Sequence, residues 1–142
     1  MKIAIINGPN LNKVGEREPE IYGTETFQDL LNSLEKTYPQ VQFVYYQSNG
    51  EGALIDYLQA ANEEVDGIVL NAAAYTHTSV AISDAVRSLE IPVIEVHMSN
   101  TFAREPYRHR SYLSPHVTGI IVGFGMQSYD LAVQALLKSD YV

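Results

Sequence analysis

The chain has no cysteine, and only four of its 142 residues are lysine. Without cysteine there are no disulfides and no thiolate chemistry, and a cysteine-based metal site is excluded as well. Lys2, Lys13, Lys36 and Lys138 are scattered. Only Lys13 falls near the polar residues discussed below, in a loop that does not offer the desolvation a Schiff-base lysine needs. Basic residues as a whole are scarce. Nine Lys and Arg stand against seventeen Asp and Glu, for a net charge of -8 and a pI of about 4.8. That balance is the reverse of a nucleic-acid-binding surface. No stretch approaches the ~20 apolar residues of a membrane span, and the apolar run after Met1 and Lys2 is too short for the core of a signal peptide. The expectation is a soluble, cytoplasmic protein with neither nucleic acid nor membrane as partner. Also missing are a G-x-G-x-x-G or Walker-type phosphate loop, a G-x-S-x-G elbow and an H-x-x-x-H pair.

What is present is an ordinary globular composition, 46% hydrophobic and 18% charged, and enough chain for one good core. Residues 1–142 are expected to form a single domain. Five short runs rich in Val and Ile read as strands: "KIAIIN" (2–7), "VQFVYYQ" (41–47), "DGIVLN" (66–71), "PVIEVH" (92–97) and "VTGIIVG" (117–123). Several are apolar on both faces, as strands of a covered parallel sheet are. Between them, "TFQDLLNSLEKTY", "GALIDYLQAANEE", "SVAISDAVRSL" and "SYDLAVQALLK" carry apolar residues at helical spacing. Thr26 is the N-cap expected for the first of these helices and Pro39 its stop. Strands alternating with helices predict an α/β fold, a flavodoxin-like doubly wound five-stranded parallel sheet of order 2-1-3-4-5. About twenty residues between His97 and Val117 show no pattern, which points to a functional loop.

In such a sheet, ligands bind beyond the carboxyl ends of the strands. The polar residues collect there. The first strand ends in Asn7 and runs into Asn10, Arg17 and Tyr22; the third ends in Asn71 and leads to His77. The fourth carries Glu95, ends in His97, and is followed by Ser99, Asn100, Arg104 and Arg108. Taken singly, a strand-end Asn is a turn residue and a lone His a structural group. Three arginines in "FAREPYRHR", in so acidic a chain, form either a solvated loop or a local anion site. With the other chemistries absent, acid–base work by Tyr and His remains, with Arg and Asn holding an anionic, hydroxyl-rich substrate. Tyrosine is a costly base, because ionising it near neutral pH takes about 4 kcal/mol. A guanidinium ~4 Å away, at an effective dielectric near 20, supplies about that much. This is a physical reason to place Arg17 and Tyr22 in one closable loop.

The segments "GPNLN", "REPEIYG", "NAAAYTHTS", "IEVHMSN", "AREPYRHRSYLSP" and "GFG" resemble, in order and over essentially the whole chain, the motifs of type II 3-dehydroquinate dehydratases. The resemblance implies a metal-free, cofactor-free anti elimination of water from 3-dehydroquinate through an enolate. It implies Tyr22 as the base, in tyrosinate form, and Arg17 as its stabiliser. Asn10 would hold a water against the enolate oxygen. His97 would be the acid, oriented by Glu95. Asn71, His77 and Arg108 would bind substrate hydroxyls, the amides of Met98 and Ser99 its carboxylate, and Arg104 would help close the loop. Asp84 would reach a neighbouring subunit's site in a homo-oligomer, a dodecamer built from trimers. Three positions depart from the family's habit: Ala73 for Gly, Gly50 for His and Ser128 for Gly. The rival reading is a flavodoxin-type module that binds an anionic or phosphate ligand without catalysis.

Overall fold

The computed structural model describes residues 1–16, 18, 20 and 24–138. Among them, five strands form one parallel sheet: β1 (Lys2–Asn7), β2 (Gln42–Gln47), β3 (Gly67–Asn71), β4 (Val93–His97) and β5 (Gly119–Val122), in the order β2-β1-β3-β4-β5. This is the flavodoxin-like order expected from strand number and crossover hand. Four α-helices are described, α1 (Phe27–Thr37), α2 (Glu51–Glu64), α3 (Val80–Arg87) and α4 (Gln127–Leu137). None is long and apolar enough to cross a membrane.

Alternation along each strand divides the interior into two layers. Ile3, Ile5, Val69, Ile94 and Val96 face α1 and α4, where Phe27, Leu30, Leu34, Tyr129, Val133 and Leu136 meet them. Ala4, Ile6, Ile68, Leu70 and Val93 face α2 and α3, against Leu54, Leu58, Ile82 and Val86. β3 and β4 are buried along their whole length. At the edges β2 and β5 are only partly covered. The run expected at 117–123 is strand over 119–122, and the Thr118 and Gly123 N–H groups on either side of it still donate to the Val93 and His97 carbonyls of β4, at 2.8 and 2.9 Å.

Helix starts follow side-chain chemistry. Thr26 and Asp29 form a reciprocal capping box on α1, with Thr26 Oγ1 accepting from the Asp29 N–H at 3.2 Å and Asp29 Oδ2 from the Thr26 N–H at 3.1 Å. Ser79 caps α3 by accepting from the Ile82 N–H at 2.9 Å. Gly50 stands at the N-cap of α2 and so contributes no side-chain bond there. The patternless stretch after β4 resolves into three short 3-10 turns, Thr101–Ala103, Pro106–Arg108 and Ser114–His116. Turns of three residues have no apolar periodicity to betray them.

Candidate functional site

The carboxyl ends of β1, β3 and β4 lie side by side. Asn7 is in register with both Gln47 of β2 and Asn71 of β3. Beyond β1 the chain passes so close to Ala72 that a Cβ on Gly8 would sit 2.5 Å from its carbonyl oxygen, so only glycine fits. The Gly8 N–H also donates to the Asn71 carbonyl at 2.8 Å. Together these contacts press the two strand-end loops into one wall.

A cavity opens at this edge. Asn10, Asn71, His77, His97, Met98, Ser99, Arg104 and Arg108 line it, with Thr101 and Ala73 between them. Eight of the residues singled out in the sequence therefore share one space. Glu95 lies directly behind, 1% exposed, and Asp84 sits on the exposed outer side of α3, away from the cavity. Arg17 and Tyr22 lie outside the described residues.

At the cavity floor, His97 Nε2 donates to Glu95 Oε2 at 2.5 Å. The other Glu95 oxygen accepts from the Ser114 hydroxyl at 2.8 Å. Burial alone would raise the carboxyl pKa of Glu95, but hydrogen bonds from His97, Ser114 and Ser111 outweigh it and hold the group below its ordinary value. An ionised Glu95 fixes which His97 nitrogen carries its proton, and leaves Nδ1 as the exchangeable position. Ser114 is a residue the sequence reading missed. It lies nineteen positions from Glu95, and no spacing rule connects them.

His77 stacks beside His97 with ring centroids 6.2 Å apart, and its Nδ1 donates to the Arg110 carbonyl at 2.6 Å. Burial lowers the His77 pKa, and the neighbouring His97 and Arg108 charges push the same way against the Arg110 carbonyl and Glu95. The balance favours the neutral form of the His77 ring. Arg108 Nε donates to Glu105 at 2.5 Å, and that ion pair more than offsets partial burial, so the guanidinium stays charged. Arg104 donates to Ser99 Oγ at 3.1 Å, which ties the loop after β4 to the cavity rim.

Beneath the site runs a buried polar chain. The Tyr129 hydroxyl of α4 donates to Asn7 Oδ1 at 2.8 Å and accepts from Asn71 Nδ2 at 2.9 Å, while Asn7 Nδ2 donates to the Tyr45 hydroxyl at 3.2 Å. Asn71 Oδ1 takes the Ala73 N–H at 3.1 Å. That bond holds Ala73 at a φ of 52°, in the left-handed region where glycine is at ease and alanine is not. Ser128 is fully buried, accepting from the Phe124 N–H at 3.1 Å and so bracing the Gly123–Gly125 turn beside His97. Among the described residues no group of three or more His, Cys, Asp or Glu is placed to hold a metal ion.

Fold and cavity together define a class: a doubly wound α/β protein with a cavity at its strand ends, where a carboxylate-held histidine faces an arginine-bearing rim. The family profile described as class II dehydroquinase matches residues 1–137, and the chain belongs to that family. It is 55% identical over 136 residues to a 3-dehydroquinate dehydratase of Azorhizobium caulinodans, covering 94% of this chain and 92% of the relative. A catabolic 3-dehydroquinase of Aspergillus oryzae is 53% identical over 134 residues, covering 93% and 88%. The crystal structure of a type II dehydroquinase from Butyrivibrio crossotus superposes with a TM-score of 0.93 at 46% identity, covering 97% of this chain and 98% of that one.

Proposed function

We propose that the chain is a type II 3-dehydroquinate dehydratase, a hydro-lyase of the shikimate pathway, and that the residues named from its sequence carry the reaction. Non-catalytic ligand binding is not favoured, given the family. The carrying observation is the His97–Glu95 pair, at 2.5 Å, on the floor of a cavity rimmed by Arg104 and Arg108.

In this mechanism Tyr22, ionised beside Arg17, takes a proton from C2 of 3-dehydroquinate. The electron pair left on carbon delocalises into the adjacent carbonyl as an enolate. Asn10 holds a water against the enolate oxygen and stabilises the charge where it develops. The enolate then collapses to a C1–C2 double bond, and the C1 hydroxyl leaves as water with a proton from His97. Solvent restores both proton carriers, and no electrons are exchanged with any other group. Glu95 keeps the His97 ring in place, and Ser114 keeps Glu95 in place. Arg108, His77 and Asn71 bind hydroxyls, the Met98 and Ser99 amides take the carboxylate, and Arg104 draws the loop shut.

The same reading, which rests on the family resemblance, is of a cytoplasmic enzyme working as a homo-oligomer of trimers that form a dodecamer, with Asp84 completing a neighbour's site. The test is the ultraviolet absorbance of the conjugated enone formed from 3-dehydroquinate. The parent should generate it with or without chelator, and His97→Asn should lower kcat by roughly 10²–10⁴-fold. A parent that produces no enone, or a His97→Asn protein with parental kcat, would sink the reading.

A further inference from the structure

We propose that Asn49, in the loop joining β2 to α2, is a positioning residue for this reaction: its side-chain oxygen holds the backbone of Asn10 in the conformation that presents Asn10 to the cavity. The proposal rests on the role given to Asn10 above.

Asn10 has a φ of 70° and a ψ of -6°, in the left-handed region. That region is unfavourable for any residue with a Cβ, and Asn tolerates it best. Asn10 opens the 3-10 turn Leu11–Lys13, yet its side chain makes no capping bond there. The side chain is thus kept for the cavity, and some other group must hold the backbone. That group is Asn49. The Asn10 N–H donates to Asn49 Oδ1 at 3.0 Å, across 39 positions of sequence. The same oxygen accepts from Gln47 Nε2 at 3.2 Å, and Gln47 Nε2 also reaches the Gly8 carbonyl at 3.2 Å. From the third side, the Tyr75 hydroxyl donates to the Asn49 carbonyl at 2.8 Å. The loops following β1, β2 and β3 are therefore pinned at one residue. Asn49 itself does not line the cavity.

Two chemical consequences follow. Both hydrogen bonds at Asn49 Oδ1 point toward the oxygen, so an acceptor is all that the position requires. Aspartate should replace asparagine there, whereas alanine should not. Releasing Asn10 should also weaken an interaction that matters most once charge has moved onto the enolate oxygen, and so should fall on kcat more than on KM.

The experiment measures kcat and KM for enone formation in four variants of the full chain, with a thermal melt of each. Asn49 is exposed, so Asn49→Ala should remain folded. Asn49→Ala should lose roughly ten- to a hundredfold in kcat, as small misplacements of catalytic groups do, with KM within about twofold. Asn49→Asp should stay within about twofold of the parent in both constants. In an Asn10→Ala background, adding Asn49→Ala should change kcat by less than about twofold, because Asn49 acts through the side chain already removed. Full kcat in Asn49→Ala, equal damage in Asn49→Asp, or a further independent loss in the double variant would each overturn the assignment while leaving the activity intact. A parent inactive on 3-dehydroquinate would instead overturn the functional reading, and the Asn49 assignment with it.

Discussion

Ala73 and His77 stand four residues apart in the turn after β3, and each carries a testable energetic cost. At a φ of 52°, Ala73 occupies a conformation that disfavours L-residues by about 1–2 kcal/mol. Glycine removes that cost but gains roughly 0.5–1 kcal/mol of unfolded-chain freedom. Ala73→Gly should therefore stabilise the protein by about 0.5–1 kcal/mol in urea denaturation, and a destabilised variant would show that the turn is not strained. For His77 the cost is electrostatic. Burial, aided by His97 and Arg108, holds its folded pKa below the ordinary 6.5, so as pH falls through that value the unfolded chain binds its proton first. The unfolded state then binds more protons, and stability falls with falling pH in the window just below 6.5. Glu95 has the other sign of charge and the same sign of effect. Its folded pKa lies below the ordinary 4.5, so its contribution is present above that value and is lost as pH drops further. Denaturation midpoints should accordingly decline from pH 7.5 to 5.5, and His77→Gln should flatten the slope. An unchanged slope would mean that His77 is not the titrating group.

At the level of elements, the apolar runs made β1, β3 and β4 readable, because strands covered on both faces leave little room for other residue types. The Thr26 start of α1 was readable too, since a capping box is local chemistry. The site was readable only as far as strand ends go. Asn71 and His97 end their strands, and Asn10 and His77 lie three and six residues beyond theirs, so the sheet's polarity gathers them at one edge. The contacts that hold them there were not legible. Ser114 to Glu95, Asn49 to Asn10 and Tyr129 to Asn7 join residues 19, 39 and 122 positions apart, and only the folded packing brings such pairs into contact. The last of these links α4 to the two central strands. Tyr129 is wholly buried, and burial drives its hydroxyl pKa far above the ordinary range, so it serves as a neutral donor and acceptor. Tyr129→Phe keeps the ring's edge contact with Phe27 but strands Asn7 Oδ1 and Asn71 Nδ2 away from water. The loss should be about 1–3 kcal/mol in urea denaturation, larger than for Tyr45→Phe at the partly exposed end of the same chain. Equal, small losses in the two variants would mean that the network contributes little to docking α4.

At the scale of the whole molecule, the chain leaves several large apolar side chains in solvent. Val80 at the start of α3 is 61% exposed, Phe102 65% and Ile120 of the edge strand 48%. Phe102 and Ile120 also border a second hollow, which shares His77, His97, Thr101 and Arg108 with the first cavity and reaches Glu95. Such surfaces favour association with another protein surface, and in the proposed oligomer that surface is a second copy of the chain. Asp84 fits the same scheme. It is exposed on α3 outside its own cavity, and among the described residues it forms no ion pair with Arg87. A carboxylate so placed can order the arginine-rich rim of an adjacent subunit in a cyclic assembly, where each copy gives to the next and receives from the one before. Asp84→Ala should then raise KM or lower kcat although the residue is remote from its own site. Tyr22→Phe should be nearly inactive because it removes the proposed base. Unfolding and refolding the two variants together should restore activity, since a Tyr22-bearing subunit can receive Asp84 from its neighbour. With random, equal mixing about a quarter of the sites have that composition, which sets the expected gain above the mean of the two variants refolded alone. Mixed activity no higher than that mean, or a fully active monomer by light scattering under assay conditions, would confine the site to a single chain.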